Sequence, residues 1–204
     1  ATIGYAIDEC VGLRTTYNIK VMNISLGTPQ PASNVRNKVN TAVTYGIVAT
    51  VAAGNDGPSG VMYDPARARL AITAVACNDV KALTDYSSTG VFSQEANTDY
   101  KPDLCAPGGS AYYSYIYGAD SNQSDAESQS FADVTPNDYT GMEGTSFATP
   151  FVAGAAALVI QALEARGLVW DFGSETHPRL VKMLLCATAT ETNASREGGV
   201  NSPT

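Results

Sequence analysis

The chain has 204 residues and 44% hydrophobic content, enough to bury one sizeable α/β core. Twenty acidic against 12 basic residues give a net charge of −8, which excludes nucleic acid as a partner because phosphates require a basic face. Only 16% of residues are charged, small and hydroxylated residues are abundant, and no apolar run is expected to reach the length of a membrane span.

In chain order, Ile3, Ile7, Val11 and Tyr17 form a 3.6-residue stripe that predicts a helix over 3–16, ended by Asn18. A strand over 20–26 follows. Residues 33–45 read as a second helix, with Ser33 as candidate N-cap, Val35, Val39, Ala42 and Val43 on one face, and Gly46 closing it. The run Ile47 to Val51 predicts a buried parallel strand, Ala71 to Ala76 another, and Leu104 to Ala106 a short third. Tyr112, Tyr113, Tyr115 and Tyr117 alternate as an edge strand would. A long helix over 146–166 and a last one over 178–189 complete the set. This alternation predicts an α/β fold with a parallel sheet covered by helices on both faces. Functional groups then belong at the carboxyl ends of the strands, where Gly27 and Asn55 fall.

Cys10, Cys77, Cys105 and Cys186 are widely spread and form no Cys-x-x-Cys pair, so zinc-ligand spacing is absent. All four lie in predicted helices or strands, where buried free thiols act as small hydrophobes. One disulfide remains open, and sequence does not choose its partners. None flanks a candidate base, so a cysteine nucleophile is not indicated.

The most informative stretch is Gly144-Thr145-Ser146-Phe147-Ala148-Thr149-Pro150-Phe151-Val152-Ala153-Gly154. A serine stands where a tight turn gives way to Ala153 to Leu158, a run with the composition of a buried helix. Thr145 or Ser146 could be only a helix cap. A hydroxyl at that position also lies beside unpaired backbone N–H groups and the positive end of the helix dipole, which could hold a developing oxyanion.

The eleven residues resemble the nucleophile motif of the subtilisin-like serine peptidases, with Phe151 standing where many members carry His. Three further segments carry the resemblance in the same order: Val21 to Gly27, ending in Ser25-Leu26-Gly27; Val51 to Gly57, with Asn55; and Lys101-Pro102-Asp103-Leu104-Cys105-Ala106-Pro107-Gly108. Tyr86 to Gly90 is a weaker fifth match. The resemblance implies a serine endopeptidase working through an acyl-enzyme on Ser146. It makes Asn55 the side-chain oxyanion donor beside the Ser146 N–H. It makes Ser25, Leu26, Gly27 and Ala52, Ala53, Gly54 the walls of the pocket for the residue before the cleaved bond. The small residues of those walls leave room for a large apolar side chain. No cofactor is implied for catalysis, and no phosphate-loop or dinucleotide fingerprint supports a nucleotide-binding domain.

The family's Asp and His precede the Ser-Leu-Gly strand, yet the 20 residues before Val21 hold no histidine. The single histidine, His177, follows Ser146 and matches no catalytic position. Residues 1–204 are therefore expected to be the C-terminal portion of one subtilisin-like catalytic domain, with the N-terminal part of the fold missing. An upstream segment would supply Asp and His, and Gly198 to Asn201 resemble the element that closes many such domains. Apolar edges would then be exposed near residues 20–26 and 47–52. Peptides or proteins are the expected substrates and a secreted location the expected one, with any signal upstream of Ala1. A pseudo-peptidase keeping the cleft as a binding module is the alternative. Residues 118–138 carry Asp120, Asp125, Glu127, Asp133 and Asp138 without a basic residue, as a solvated loop would. Their spacing does not match a calcium loop, which leaves structural calcium and the metal ligands undetermined.

Overall fold

A computed structural model describes residues 2–58, 60–90, 101–119 and 139–192. Four parallel strands form the central sheet in the order β1 (Val21–Ile24), β2 (Val48–Ala52), β3 (Ile72–Cys77), β4 (Leu104–Pro107). Helices α1 (Thr2–Leu13) and α2 (Ser33–Thr44) lie over one face, and α3 (Thr145–Glu164) and α4 (Thr176–Thr188) over the other. A short antiparallel pair, β5 (Ile116–Ala119) and β6 (Tyr139–Met142), leads into α3.

The two faces follow from the pleat. Ala49, Val51 and Val75 pack with Val39, Ala42 and Val43 of α2, while Val48, Ile72, Ala74, Ala76 and Ala106 meet α3. α3 answers with Ala148, Val152, Ala156 and Ile160, so small side chains oppose small side chains and the helix lies close to the sheet.

Several expectations are corrected. Ser33 is the first helical residue of α2 rather than its cap; Ala32 takes that place with no side-chain cap bond, and its N–H is held by the Asp64 carboxylate at 2.8 Å. Tyr112 and Tyr113 lie in a turn, the strand beginning only at Ile116. Among the described residues only β1 is an edge near the expected opening, since β2 pairs with both β1 and β3 and is buried throughout. Of the cysteines, which are free thiols, only Cys77 is buried and Cys186 is exposed. The thiols of Cys77 and Cys105, on neighbouring strands, interact so that the Cys77 pKa is lowered and, together with burial, that of Cys105 is raised.

α3 is apolar all round but buried on one side only. Phe151 and Leu158 are 50% and 67% exposed, beside an open groove of about 510 Å³ lined also by Ile116, Phe147, Pro150 and Ala155. By length and composition alone this helix could span a membrane, contrary to the expectation above, yet its other face is packed on the sheet. The acidic residues of 120–138 and the Gly198 to Asn201 element lie outside the described residues.

Candidate active site

Pro150 and Ser25 together explain how the serine turn is held. A helical residue at 150 would normally donate its N–H to the carbonyl of Ser146, four residues earlier, but proline has none. That freed Ser146 carbonyl accepts instead from the Ser25 hydroxyl at 2.8 Å. The Ser146 hydroxyl in turn donates to the Ser25 carbonyl at 3.2 Å. The end of β1 and the start of α3 are thereby locked by a reciprocal pair.

Gly144, ahead of the helix, has φ 154° and ψ 156°, a conformation essentially reserved for glycine. Its N–H is bound by the Gly108 carbonyl at 2.8 Å and the Tyr86 hydroxyl at 3.1 Å. The same hydroxyl lies 2.8 Å from the carbonyls of Gly108 and Gly109, so Tyr86 pins the exit of β4 to the serine turn.

Asn55 follows the carboxyl end of β2 and is exposed. Its Oδ1 accepts from both the N–H and the hydroxyl of Thr145, each at 2.9 Å. Two donors on one atom require that atom to be the oxygen, so the amide Nδ2 faces the other way. Among the described residues Nδ2 has no hydrogen-bond partner, and neither has the N–H of Ser146. A Cβ added to Gly144 would stand 3.4 Å from Nδ2 and 3.7 Å from the Ser146 nitrogen. The two unspent donors thus border one small space, kept empty because residue 144 has no side chain. Such a pair can hold an oxygen that gains negative charge.

Ser25, Leu26 and Gly27 follow β1, and Ala52, Ala53 and Gly54 close β2, side by side at the carboxyl edge of the sheet. The space between the two glycines is not open. The Tyr63 ring lies there: a Cβ on Gly27 would be 3.2 Å from Tyr63 Cδ2, and one on Gly54 would be 3.3 Å from Cδ1. Part of the space expected for a large apolar side chain is thus taken by a side chain of this chain.

His177 is elsewhere. Its Nδ1 accepts the Asp171 N–H at 3.0 Å, and its ring packs 5.3 Å from that of Trp170. Trp170 donates to the carbonyl of Gly46, just before β2 begins, whereas Asn55 and Ser146 stand where β2 ends. The five residues of β2 put roughly 17 Å between those ends. His177 is a loop-to-helix anchor and no base for Ser146.

Comparison with known proteins bears on the same arrangement. The sequence fits the Peptidase S8 subtilase family over residues 2–202. The chain belongs to the subtilase family. Subtilisin DY of Bacillus licheniformis is 32% identical over 158 residues, covering 76% of this chain and 47% of that protein. Subtilisin BL of Lederbergia lenta is 32% identical over 141 residues, 69% of this chain and 42% of its own length. Among solved structures, Sphericase superposes with a TM-score of 0.66 at 26% identity, covering 92% of this chain and 54% of that one. A cold adapted subtilisin-like serine proteinase does so with a TM-score of 0.60 at 28% identity, over 89% of this chain and 52% of its own. This subtilase chain spans less than half the length of either subtilisin.

Within the subtilase frame the structure brings Ser146, Asn55, Ser25 and the two glycine walls to one edge of the sheet. Sequence reasoning missed Tyr63. It named Tyr86 only as the start of the weaker fifth match and Thr145 only as a candidate cap, and gave neither its role in holding the serine turn. Among the described residues no group of three His, Cys, Asp or Glu side chains is placed to hold a metal ion.

Proposed function

We propose that residues 1–204 are the C-terminal portion of a subtilisin-like catalytic domain that hydrolyses peptide bonds, with Ser146 as nucleophile. The Ser146 oxygen attacks the substrate carbonyl carbon and its proton passes to a base. The carbonyl oxygen gains the negative charge and is held by Asn55 Nδ2 and the Ser146 N–H. The amine leaves with a proton returned by the same base, and water then releases the acyl group from Ser146. The observation that carries this reading is the pair of unspent donors bordering the space at Gly144, one of them the N–H of Ser146 itself.

The base is a histidine oriented by an aspartate, both on a segment outside residues 1–204, because the single histidine of the chain is engaged at the far end of the sheet. At rest the Ser146 proton is directed to the Ser25 carbonyl, which cannot remove it. The chain alone is therefore nearly inactive. Peptide or protein substrates lie along Ser25–Gly27 and Ala52–Gly54. The reaction needs no cofactor, structural calcium is left open by the acidic stretch, and the protein is secreted, as its family and low charge content suggest.

The remoteness of His177 also favours a second reading, a pseudo-peptidase that only binds peptides. A fluorophosphonate titration separates the two. Labelling that depends on Ser146 and accelerates when the upstream segment is added supports the peptidase. Peptide binding without any labelling under either condition supports the binding module.

A further inference from the structure

We propose that Tyr63 is a specificity-determining residue, its ring filling the space between Gly27 and Gly54 so that the cleft accepts only a glycine- or alanine-sized residue before the cleaved bond. The inference rests on the peptidase reading, since it concerns the side chain that reading lays between the two walls.

The ring is wedged edge to edge. A Cβ on Gly27 would come within 2.7 Å of Tyr63 Cβ, and one on Gly54 within 3.2 Å of Cγ. Both lie inside ordinary van der Waals separation, so a side chain at Gly27 would collide with the tyrosine, while Gly54 is confined by the same ring, by the Ser88 hydroxyl at 3.1 Å and by its own φ of 118°. Backbone bonds fix the ring from both sides. The Tyr63 N–H donates to the Ala53 carbonyl at 3.1 Å, and Thr28 and Asp64 exchange N–H to carbonyl bonds of 2.9 and 3.0 Å. Segment 63–64 thus runs between the two walls as a third backbone.

The neighbouring groups hold it there. Asp64 is buried, takes the Arg67 guanidinium at 2.9 Å and accepts from the Ala32 N–H at 2.8 Å. The Asp56 carboxylate beside the Tyr63 phenol raises its pKa, with burial adding to the shift. Asp56 is itself tied through its N–H to the Ser88 hydroxyl at 3.0 Å. A benzyl or isobutyl group entering between the glycines would have to swing the ring out, whereas a methyl group would not. Removing the ring should therefore widen the range of accepted substrates.

The test uses two tetrapeptide boronic acids that differ only in the terminal residue analogue, alanine or phenylalanine, titrated calorimetrically into the enzyme completed by its upstream segment. Boron bonds to the Ser146 oxygen while the base on the upstream segment takes the hydroxyl proton, so binding reports on the serine without needing turnover. The alanine compound is expected to bind about tenfold or more tightly than the phenylalanine compound. Tyr63→Gly should gain affinity for the phenylalanine compound by about the same factor, and Tyr63→Phe, which keeps the ring, should retain the wild-type order. Equal or tighter binding of the phenylalanine compound to the wild-type chain overturns the proposal, whether or not Tyr63→Gly folds. Ser146→Ala separates the two levels of the argument. If it weakens both compounds while they bind the wild type equally, the peptidase reading stands and the role of Tyr63 falls. If it changes neither affinity, or if neither compound binds, both fall.

Discussion

Thr145 decides which way Asn55 faces. Its N–H and its hydroxyl converge on Asn55 Oδ1 at 2.9 Å, which turns the amide nitrogen toward Ser146. The same hydroxyl accepts the Gly54 N–H at 3.2 Å, so one buried side chain joins the end of β2 to the start of α3.

Thr145→Val keeps the shape and removes that hydroxyl, leaving the buried Gly54 N–H without its acceptor. Urea unfolding should show a loss of about 1–3 kcal/mol. In the enzyme completed by its upstream segment, turnover should fall less than it does for Asn55→Ala, because the Thr145 N–H still orients Oδ1. An unchanged unfolding midpoint would mean that Gly54 finds another acceptor.

Asn55→Ala in the completed enzyme should lower kcat by about 100- to 1,000-fold with KM unchanged, the magnitude being carried over from subtilisin, where such a donor was removed. Steady-state kinetics check it. A rise in KM alone would make Asn55 a substrate-binding residue.

The Ser25 hydroxyl stands in for the N–H that Pro150 lacks. Ser25→Ala should cost about 1 kcal/mol in the wild-type background. Pro150→Ala restores the helical donor to the Ser146 carbonyl, so adding Ser25→Ala to it should cost less, by roughly 0.5 kcal/mol or more. A double-mutant cycle by denaturant unfolding measures the difference, and strict additivity would show the two residues to be independent.

At the opposite end of the sheet two lysines share one carboxylate. Lys101 and Lys182 reach Asp103 at 2.5 and 2.7 Å and the Ala71 carbonyl at 2.6 and 2.8 Å. Burial pushes the Lys101 pKa down to about 8 from its ordinary 10.5, with Asp103 opposing the fall and Lys182 adding to it. Between these values the unfolded chain holds the proton that the folded one has released. Stability from this group therefore rises as pH goes from about 8 to 10.5 and is flat below 8. Lys101→Met should abolish that rise, seen as the difference in unfolding midpoints between pH 7 and 10. Asp103→Asn strands two cations and should cost about 3–5 kcal/mol at pH 7.

Much of this was legible in the sequence because it is local. Gly144 to Gly154 carries its own turn, helix and serine, and the apolar runs at 47–51 and 71–76 announce buried strands within a residue of their true limits. What stayed hidden depends on chain distant in sequence. Gly27 and Gly54 looked like vacant walls because the ring between them comes from Tyr63, on a separate segment. Ala153 to Leu158 looked buried all round because composition does not say that only one face of α3 meets the sheet. Pro150, four residues after Ser146, did hold a readable sign that a carbonyl would need another donor.

The central claim is that Ser146 is a nucleophile whose base lies outside residues 1–204. The most direct measurement is the rate of Ser146 labelling by a fluorophosphonate, in the chain alone and with the upstream segment added. The account predicts slow labelling alone, an increase of about 1,000-fold or more on addition, and none in Ser146→Ala under either condition. Rapid labelling or robust peptide turnover by the chain alone, lost in Ser146→Ala, would contradict it.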